Sequence, residues 1–370
     1  MAYRDILICT VGTSLKGNLD WIEDEDVRLL LEEKNVQGLT VKLLAYPSED
    51  RKLGAEINSI ARIVAQGKIQ NRKKLFLLVS DTKDGDFLGQ VLKQYFENSK
   101  NPLCFEWVEK RVINGLTDEE PQRFRSEGLR NLVREISQIV RMNGSDRIVI
   151  NATGGYKAQI SFAGMIGQAL MIPVCYLFER FSEVIELPPQ PVSLDLSFWL
   201  ENVELFYELE KDSLSHALPI KDQRLETLVE EIQVDGQKMI GLSPTGQLFH
   251  ETFRYRFSTQ KNTLLPPPSD KPWEKKKIVY EDQNKGRHAG LEEYLHQLIK
   301  IPYIERIYTH YFNPRLPSAN YFRKSTRGID HVEGCFSHNG ATTKFDLITT
   351  AKTEAERDAV LADLWGKMKR

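Results

Sequence analysis

Cysteine is scarce in this chain: there are four among 370 residues, at Cys9, Cys104, Cys175 and Cys335, and no two form a CxxC pair. That spacing argues against a disulfide scaffold and a structural zinc. Three of the four sit in apolar, strand-like stretches, where a thiol behaves as a small hydrophobe. A reducing, cytoplasmic setting and no bound metal are the expectation. Long apolar runs are missing too, none approaching the roughly 20 residues that cross a bilayer. The start, Met1-Ala2-Tyr3-Arg4-Asp5, lacks a signal-cleavage pattern, so no membrane association is expected. Internal repeats, a Rossmann dinucleotide fingerprint and a Walker A loop are also absent.

Charge of one sign is lacking overall, since 50 Lys and Arg face 52 Asp and Glu. The balance is uneven along the chain. From Lys271 to Arg370 there are 18 basic against 13 acidic residues, or +5, which leaves 32 against 39, or −7, in the other 270. Five of the seven histidines (His288, His296, His310, His331 and His338) share that last stretch. A basic, His-rich tail on an acidic body points to a polyanionic partner for the tail.

The length and a 41% hydrophobic content fit a soluble chain of two or three domains. The first 190 residues alternate short apolar runs with longer amphipathic ones, the pattern of an α/β fold with a parallel sheet. Strands are predicted at Ile6–Val11, Val41–Ala45, Leu75–Val79, Cys104–Val108, Ile148–Asn151 and Val174–Phe178. A helix is predicted over Pro121–Met142, with Phe124, Leu129, Leu132, Val133, Ile136, Ile139 and Val140 in one stripe. Another begins after Gly155. Leu187-Pro188-Pro189-Gln190-Pro191 marks a boundary, so the domains are set at 1–190, 191–264 and 265–370. The middle region reads as small and helical around Phe198–Leu209 and Leu225–Val234. Its run from Met239 through Gly246 to Phe253 reads as strand, turn and helix, like a winged-helix unit.

Three loops of the first domain carry ligand chemistry at the strand ends where open parallel sheets bind ligands. They are Thr10-Val11-Gly12-Thr13-Ser14, then Ser80-Asp81-Thr82, then Asn151-Ala152-Thr153-Gly154-Gly155-Tyr156-Lys157. Glycines admit close backbone approach, free amides at a helix start favour phosphate, and Lys157 adds a charge. Gly-Gly after a strand is also an ordinary turn; three polar loops at one edge favour a nucleotide site.

The pairing of Val11-Gly12-Thr13-Ser14-Leu15 with Asn151–Lys157 resembles the CARF family, the CRISPR-associated Rossmann-fold sensors. The run Phe124–Leu132 is similar to the helix preceding the second motif in one branch of it. The resemblance covers residues 1 to 190. It implies a Rossmann-like, doubly wound sheet in a homodimer whose two-fold axis forms one pocket for a cyclic oligoadenylate, cyclic tetra-adenylate by expectation, acting as allosteric activator rather than cofactor. It further implies that Gly12, Thr13 and Ser14 line the pocket from one loop and that Thr153, Gly154, Gly155 and Lys157 hold phosphate and ribose from the other, with Leu15, Asn151 and Tyr156 expected beside them. Ser80, Asp81 and Thr82 complete the expected set.

Such sensors carry effectors. A HEPN ribonuclease needs Arg, four to six residues, then His; Arg306 to His310 and Arg327 to His331 leave only three between, and Arg323 to His331 leaves seven. A restriction-type metal nuclease finds Glu292 or Glu293 and Asp330, but Thr350 stands where its strand needs Glu before Lys352. The third class, a compact metal-free RelE-type ribonuclease, matches in size, charge and strand order. A strand at Lys276–Glu281, a helical Leu291–Tyr311 with an interruption at Pro302 as the alternative, and strands at Gly328–Phe336 and Thr342–Ala351 joined through Asn339-Gly340 make a small α+β domain. A final helix is predicted over Glu354–Met368, where RelE toxins often end in a strand. Candidate catalytic groups are Arg287, His288, Arg323, Lys324, Arg327, His331, His338 and Lys344, although taken singly each reads more simply as a non-catalytic residue, the basic ones as solvated surface charges. The expectation is a cyclic-oligoadenylate-activated endoribonuclease that cuts mRNA on the ribosome. The alternatives are a ligand-activated metal nuclease and a ligand-responsive DNA-binding regulator.

Overall fold

The computed structural model describes residues 3–19, 24–178, 181–189, 195–210, 215–216, 222–234 and 237–368. The expected boundary reaches outside them at Gln190 and Pro191. The chain divides into two compact units. The first comprises Met1–Ser193, Pro219–Glu230 and Leu242–Thr252; the second comprises Leu194–Leu218, Glu231–Gly241 and Phe253–Arg370. The region expected to be a separate connector is thus shared between them.

A six-stranded sheet organises the first unit: β1 (Ile6–Thr10), β2 (Lys74–Ser80), β3 (Trp107–Ile113), β4 (Ile148–Asn151), β5 (Val174–Tyr176) and β6 (Ile185–Leu187), in the order β3-β2-β1-β4-β5-β6. The first five are parallel and β6 runs antiparallel along β5. A sheet covered on both faces needs apolar strands, and β1, β2, β4 and β5 are apolar at most positions, while the edge strand β3 carries Glu109, Lys110 and Arg111. Leu7, Cys9, Leu75, Leu77 and Val149 join a core with Ile57 and Ile60 of helix Gly54–Ala65 and Leu88 and Val91 of helix Lys83–Glu97. The alternate residues Ile6, Ile8, Phe76, Leu78, Ile148 and Ile150 are equally buried and face the other way. Helix Leu129–Asn143 packs on β3 and buries Leu132, Val133, Ile136, Ile139 and Val140.

Several local expectations are corrected here. Val41–Ala45 is not a strand; it ends the helix Val36–Leu44, which Asn35 caps through Gly38 N and which buries Leu39 and Leu43 four residues apart. Short apolar runs do not distinguish the two periods, and Val41 itself is exposed. The strand expected at Cys104 starts at Trp107, after a turn closed by Cys104 N on Asn101 O. The long helix from Pro121 contains a π-turn at Phe124–Gly128. Gly128 there lies so close to the next segment that a Cβ would sit 2.6 Å from Gly115 O. Leu225–Val234 is helical only over Gln223–Glu226, and then becomes a strand.

Along the chain after β6, β7 (Ser215–His216), β8 (Val229–Val234) and β9 (Gln237–Leu242) form a small sheet of order β7-β9-β8. Helix Pro244–Leu264 follows, its start capped by Ser243 Oγ accepting from Gly246 N. The second unit holds β10 (Lys277–Tyr280), β11 (Ile304–Asn313), β12 (Tyr321–Lys324), β13 (His331–His338) and β14 (Ala341–Thr349), in the order β10-β11-β14-β13-β12. β10 is parallel to β11 and every other pairing is antiparallel. The helix expected to continue to Tyr311 stops at Ile299, Pro302 lies in the turn, and β11 starts two residues later. Asn339 and Gly340 both take positive φ (50° and 79°) and close the β13–β14 hairpin, as Asn-Gly does in a tight turn matching strand twist.

Helices Leu291–Ile299 and Glu354–Met368 cover one face of this sheet. Phe345 meets Tyr294 edge-on, and Trp365 Nε1 donates to Phe322 O at 2.8 Å. Gly334 lies directly under the Phe345 ring, where a Cβ would fall 2.4 Å from it. We expect Phe345→Ala to destabilise the second unit by about 3–5 kcal/mol, because a wholly buried ring leaves a cavity that Gly334 cannot fill. Denaturant titration measures this, and a loss under about 1 kcal/mol would contradict the packing.

Candidate functional site

The sheet order reverses between β1 and β4, so the loops leaving these neighbouring strands meet at their carboxyl ends. The contact is backbone against backbone: a Cβ on Gly12 would stand 2.6 Å from Gly155 N, and one on Gly154 would stand 2.8 Å from Thr10 O. Thr10 Oγ1 donates to Gly154 O at 2.6 Å. Beneath them lies Glu56, wholly buried. Its Oε1 accepts from Gly12 N at 2.7 Å and its Oε2 from Ser14 Oγ at 2.9 Å. Burial pushes the Glu56 carboxyl up, while the Gly12 amide and the Ser14 hydroxyl oppose that shift. On the β4 side, Asn151 donates to Ser59 Oγ at 2.7 Å and accepts from Thr153 Oγ1 at 2.7 Å, and Thr153 Oγ1 in turn accepts from Leu177 N.

Beside these loops opens a cavity of about 590 Å³. Ser14 and Thr153 line it together with Arg51, Lys52, Asn58, Arg62 and Phe181. Among the described residues, Arg51, Lys52 and Arg62 make no ion pair, and they share the lining with one acid, Glu49. Sequence reasoning missed this wall. Its signal was present in the adjacent pair Arg51-Lys52 and in Ala55, Asn58 and Arg62, which recur three and four residues apart on one helix side.

The expected loop residues divide by environment. Thr13 and Lys157 are exposed, and Lys157 opens the helix Lys157–Ala169. Leu15 is fully buried in the core, so its side chain packs rather than lines. The third loop is occupied internally. Ser80 Oγ and Thr82 Oγ1 share a hydrogen bond, Thr82 caps helix Lys83–Glu97, and Asp81 accepts from Gly115 N while pairing with Arg123. Tyr156 packs edge-on against Phe124 of the π-turn, its phenol pushed up by burial and by Asp118.

Residues 51–190 match the family model of a CRISPR-associated protein (Cas_APE2256). The matched stretch contains Arg51, Lys52, Glu56, Arg62 and the whole Asn151–Lys157 loop. Among solved structures, Can2 from Sulfobacillus thermosulfidooxidans in complex with cyclic tetra-adenylate (cA4) is similar at 11% identity, over 70% of this chain and 68% of that one, with a TM-score of 0.27, a loose likeness. No curated protein matches the chain.

In the second unit the structure separates the eight candidate catalytic groups. Arg323, Arg327, His331 and Lys344 lie on or beside the sheet face turned away from the helices. Lys324 alternates to the covered face, where its Nζ pairs with Asp358 at 3.0 Å. His288 is buried, with Nδ1 2.8 Å from Thr343 Oγ1, and burial lowers its pKa. His338 stacks on Phe336 at the hairpin end, and Arg287 is exposed in the loop before helix Leu291–Ile299. Among the described residues, no three His, Cys, Asp or Glu side chains are grouped to hold a metal ion. No helix there is long and apolar enough to cross a membrane.

The buried Glu56 makes a pH prediction. A carboxyl whose folded pKa is raised contributes stability that is fully present below its unfolded pKa and lost as pH rises through the folded value. The stability of the natural chain relative to Glu56→Gln should therefore fall as pH rises from about 4, then level off. Chemical denaturation of both proteins across pH measures this, and a flat difference would remove Glu56 as a strained buried acid.

Proposed function

We propose that the chain is a cyclic-oligoadenylate-activated ribonuclease of type III CRISPR defence. The observation that carries the reading is the meeting of the Gly12–Ser14 and Asn151–Lys157 loops over Glu56, beside a cavity walled by Arg51, Lys52 and Arg62. Strand order 3-2-1-4-5 is that of Rossmann-like nucleotide-binding sheets, and ligands settle where such an order reverses. Phosphates of a cyclic oligoadenylate, cyclic tetra-adenylate in the first instance, would meet the three cations and Lys157, with Ser14 and Thr153 on ribose oxygens. The match of residues 51–190 to a CRISPR-associated family model supports the setting. In this reading two copies pair through their first units and share one ligand.

The second unit is the effector. A small mixed sheet, helices on one face and cations on the other, supports a RelE-like ribonuclease that cuts mRNA on the ribosome. Such cleavage sets the 2′-hydroxyl against the adjacent phosphate, with protein cations stabilising the added charge. Activation requires the ligand to bind the active arrangement more tightly than the resting one.

One observation favours a metal nuclease as second reading. Asp330, Thr350 and Lys352 line a common depression of about 460 Å³ with Asp270 and Glu305. The central position, however, is a hydroxyl donating to Pro267 O rather than a carboxylate.

RNA cleavage with and without cyclic tetra-adenylate, on free RNA and on translating ribosomes that survive chelation, with and without EDTA, tests both. Ligand-dependent, EDTA-resistant cutting on ribosomes is expected. Cutting of free nucleic acid that EDTA stops selects the metal nuclease, and no cutting selects a regulator. Lys157→Ala and Arg62→Ala should each raise the ligand concentration needed for activation by roughly ten- to hundred-fold, the worth of a hydrogen bond to a charged group. Unchanged activation of both variants would refute the site.

A further inference from the structure

One hydroxyl at the loops of the first sheet has more claims on it than it can meet. Ser14 Oγ has a single hydrogen, and it goes to Glu56 Oε2 at 2.9 Å. Of its two lone pairs, one accepts from Ala55 N at 3.2 Å. Ser14 also lines the cavity of about 590 Å³. As it stands, this hydroxyl offers a guest in the cavity only a lone pair.

Glu56 is not free to release the hydrogen. It is wholly buried on helix Gly54–Ala65, and its Oε1 accepts from Gly12 N at 2.7 Å. Gly154, in the loop after β4, passes Oε1 too closely for any side chain to fit there. Among the described residues Ser14 is the donor to Oε2, and none of Arg51, Lys52, Arg62 or Lys157 pairs with the acid. The titratable group facing it from β1 is Cys9, whose thiol is pushed well up by burial and by Glu56, and so brings no charge. Burial raises the pKa of Glu56 itself. Taking the Ser14 hydrogen away would leave a buried charge without its partner, which costs more than one new hydrogen bond returns.

We propose that ligand binding in this cavity is coupled to the uptake of a proton by Glu56, with Ser14 as the link between them. The proposal rests on the reading of the cavity as a cyclic-oligoadenylate site. In such a ligand the phosphate, ester and ring oxygens can only accept, and among its oxygens the 2′-hydroxyl alone can donate. When an accepting oxygen takes the Ser14 hydrogen, a proton from solvent adds to Glu56 Oε2. The resulting carboxylic acid then donates to Ser14 Oγ, which still accepts from Ala55 N and has every position filled. No bare charge stays buried, and the anionic ligand approaches a neutral acid. The bound state thus favours the protonated acid, so binding is tightest at low pH. Affinity falls by up to about ten-fold per pH unit between the pKa values of Glu56 in the free and bound protein, and levels off above them.

Calorimetric titration of cyclic tetra-adenylate into the full chain between about pH 5 and 8, in buffers of different ionisation enthalpy, counts the protons. Adenine and the phosphodiester both titrate below that range. Up to about one proton per chain is expected, with binding weakening as the pH rises. Glu56→Gln keeps an oxygen for Gly12 N and gives Ser14 an amide hydrogen, which reproduces the bonding of the protonated acid. It should take up no protons and bind about ten-fold more tightly than the natural chain at the upper end of the range. Ser14→Ala should bind about ten-fold more weakly at the lower end and lose most of the uptake. That variant keeps the test open should Glu56→Gln fail to fold. Binding by the natural chain without proton uptake anywhere in the range would overturn the proposal. So would uptake that survives Glu56→Gln, or weaker binding by folded Glu56→Gln at the upper end. Absence of any binding by the natural chain and by folded Glu56→Gln would instead refute the cyclic-oligoadenylate reading, and this coupling with it.

Discussion

Glu56 is an unusual residue to bury, and the loops at the carboxyl edge of the first sheet are built around it. A carboxylate withdrawn from water must be surrounded by donors or be neutral, and here the donors are the Gly12 amide and the Ser14 hydroxyl. Those two groups fix the loop after β1. Gly154 then has to pass the same carboxylate so closely that a Cβ would lie 2.1 Å from Oε1. The two loops are thus joined by the Thr10 Oγ1 bond to Gly154 O and by the lack of side chains at Gly12, Gly154 and Gly155, with Glu56 fixing the first of them. The cavity beside Ser14 and Thr153 therefore has an organised wall. Glu56 sits on helix Gly54–Ala65, the same helix that carries Asn58 and Arg62 to the cavity, so the buried acid also sets where Arg62 stands.

The C-terminal sheet uses a buried acid in another way. Its covered face is ordinary packing, with Phe345, Phe322 and Trp365 closing over Gly334. Its other face has Asp346 beneath a partly exposed Arg327 at ion-pair distance, while both carboxylate oxygens are buried without a hydrogen-bond partner. Strand alternation makes the division strict. Lys324 and Arg323 are adjacent in sequence, yet one is tied to Asp358 under the helix and the other lies over Tyr321.

Much of the fold was legible. The apolar runs of β1, β2 and β4, the helix at 121–142 and the final helix all follow from periodicity, and Asn339-Gly340 announced its hairpin. Val41–Ala45 and Leu291–Tyr311 misled because a short apolar run satisfies both periods until its neighbours choose. The strand at Tyr321–Lys324 was missed, being four residues among polar ones and held by pairing with β13. Of the candidate site, the two glycine-bearing loops were visible as motifs, because the demand for close backbone approach is written locally as glycine.

The sequence by itself determined the elements, the glycine positions, the charge asymmetry of the tail and the two loop motifs, since each depends on residues within a few positions of one another. Tertiary structure decided which groups meet. It brought Arg51 and Arg62 to Thr153, made Leu15 core and Thr82 a helix cap, and sent Lys324 and His288 under the helices. It also joined Tyr308, Arg327 and Asp346. The reason is physical: a side chain's chemistry depends on its burial and on the charges and donors around it, and those neighbours come from strands distant in the chain.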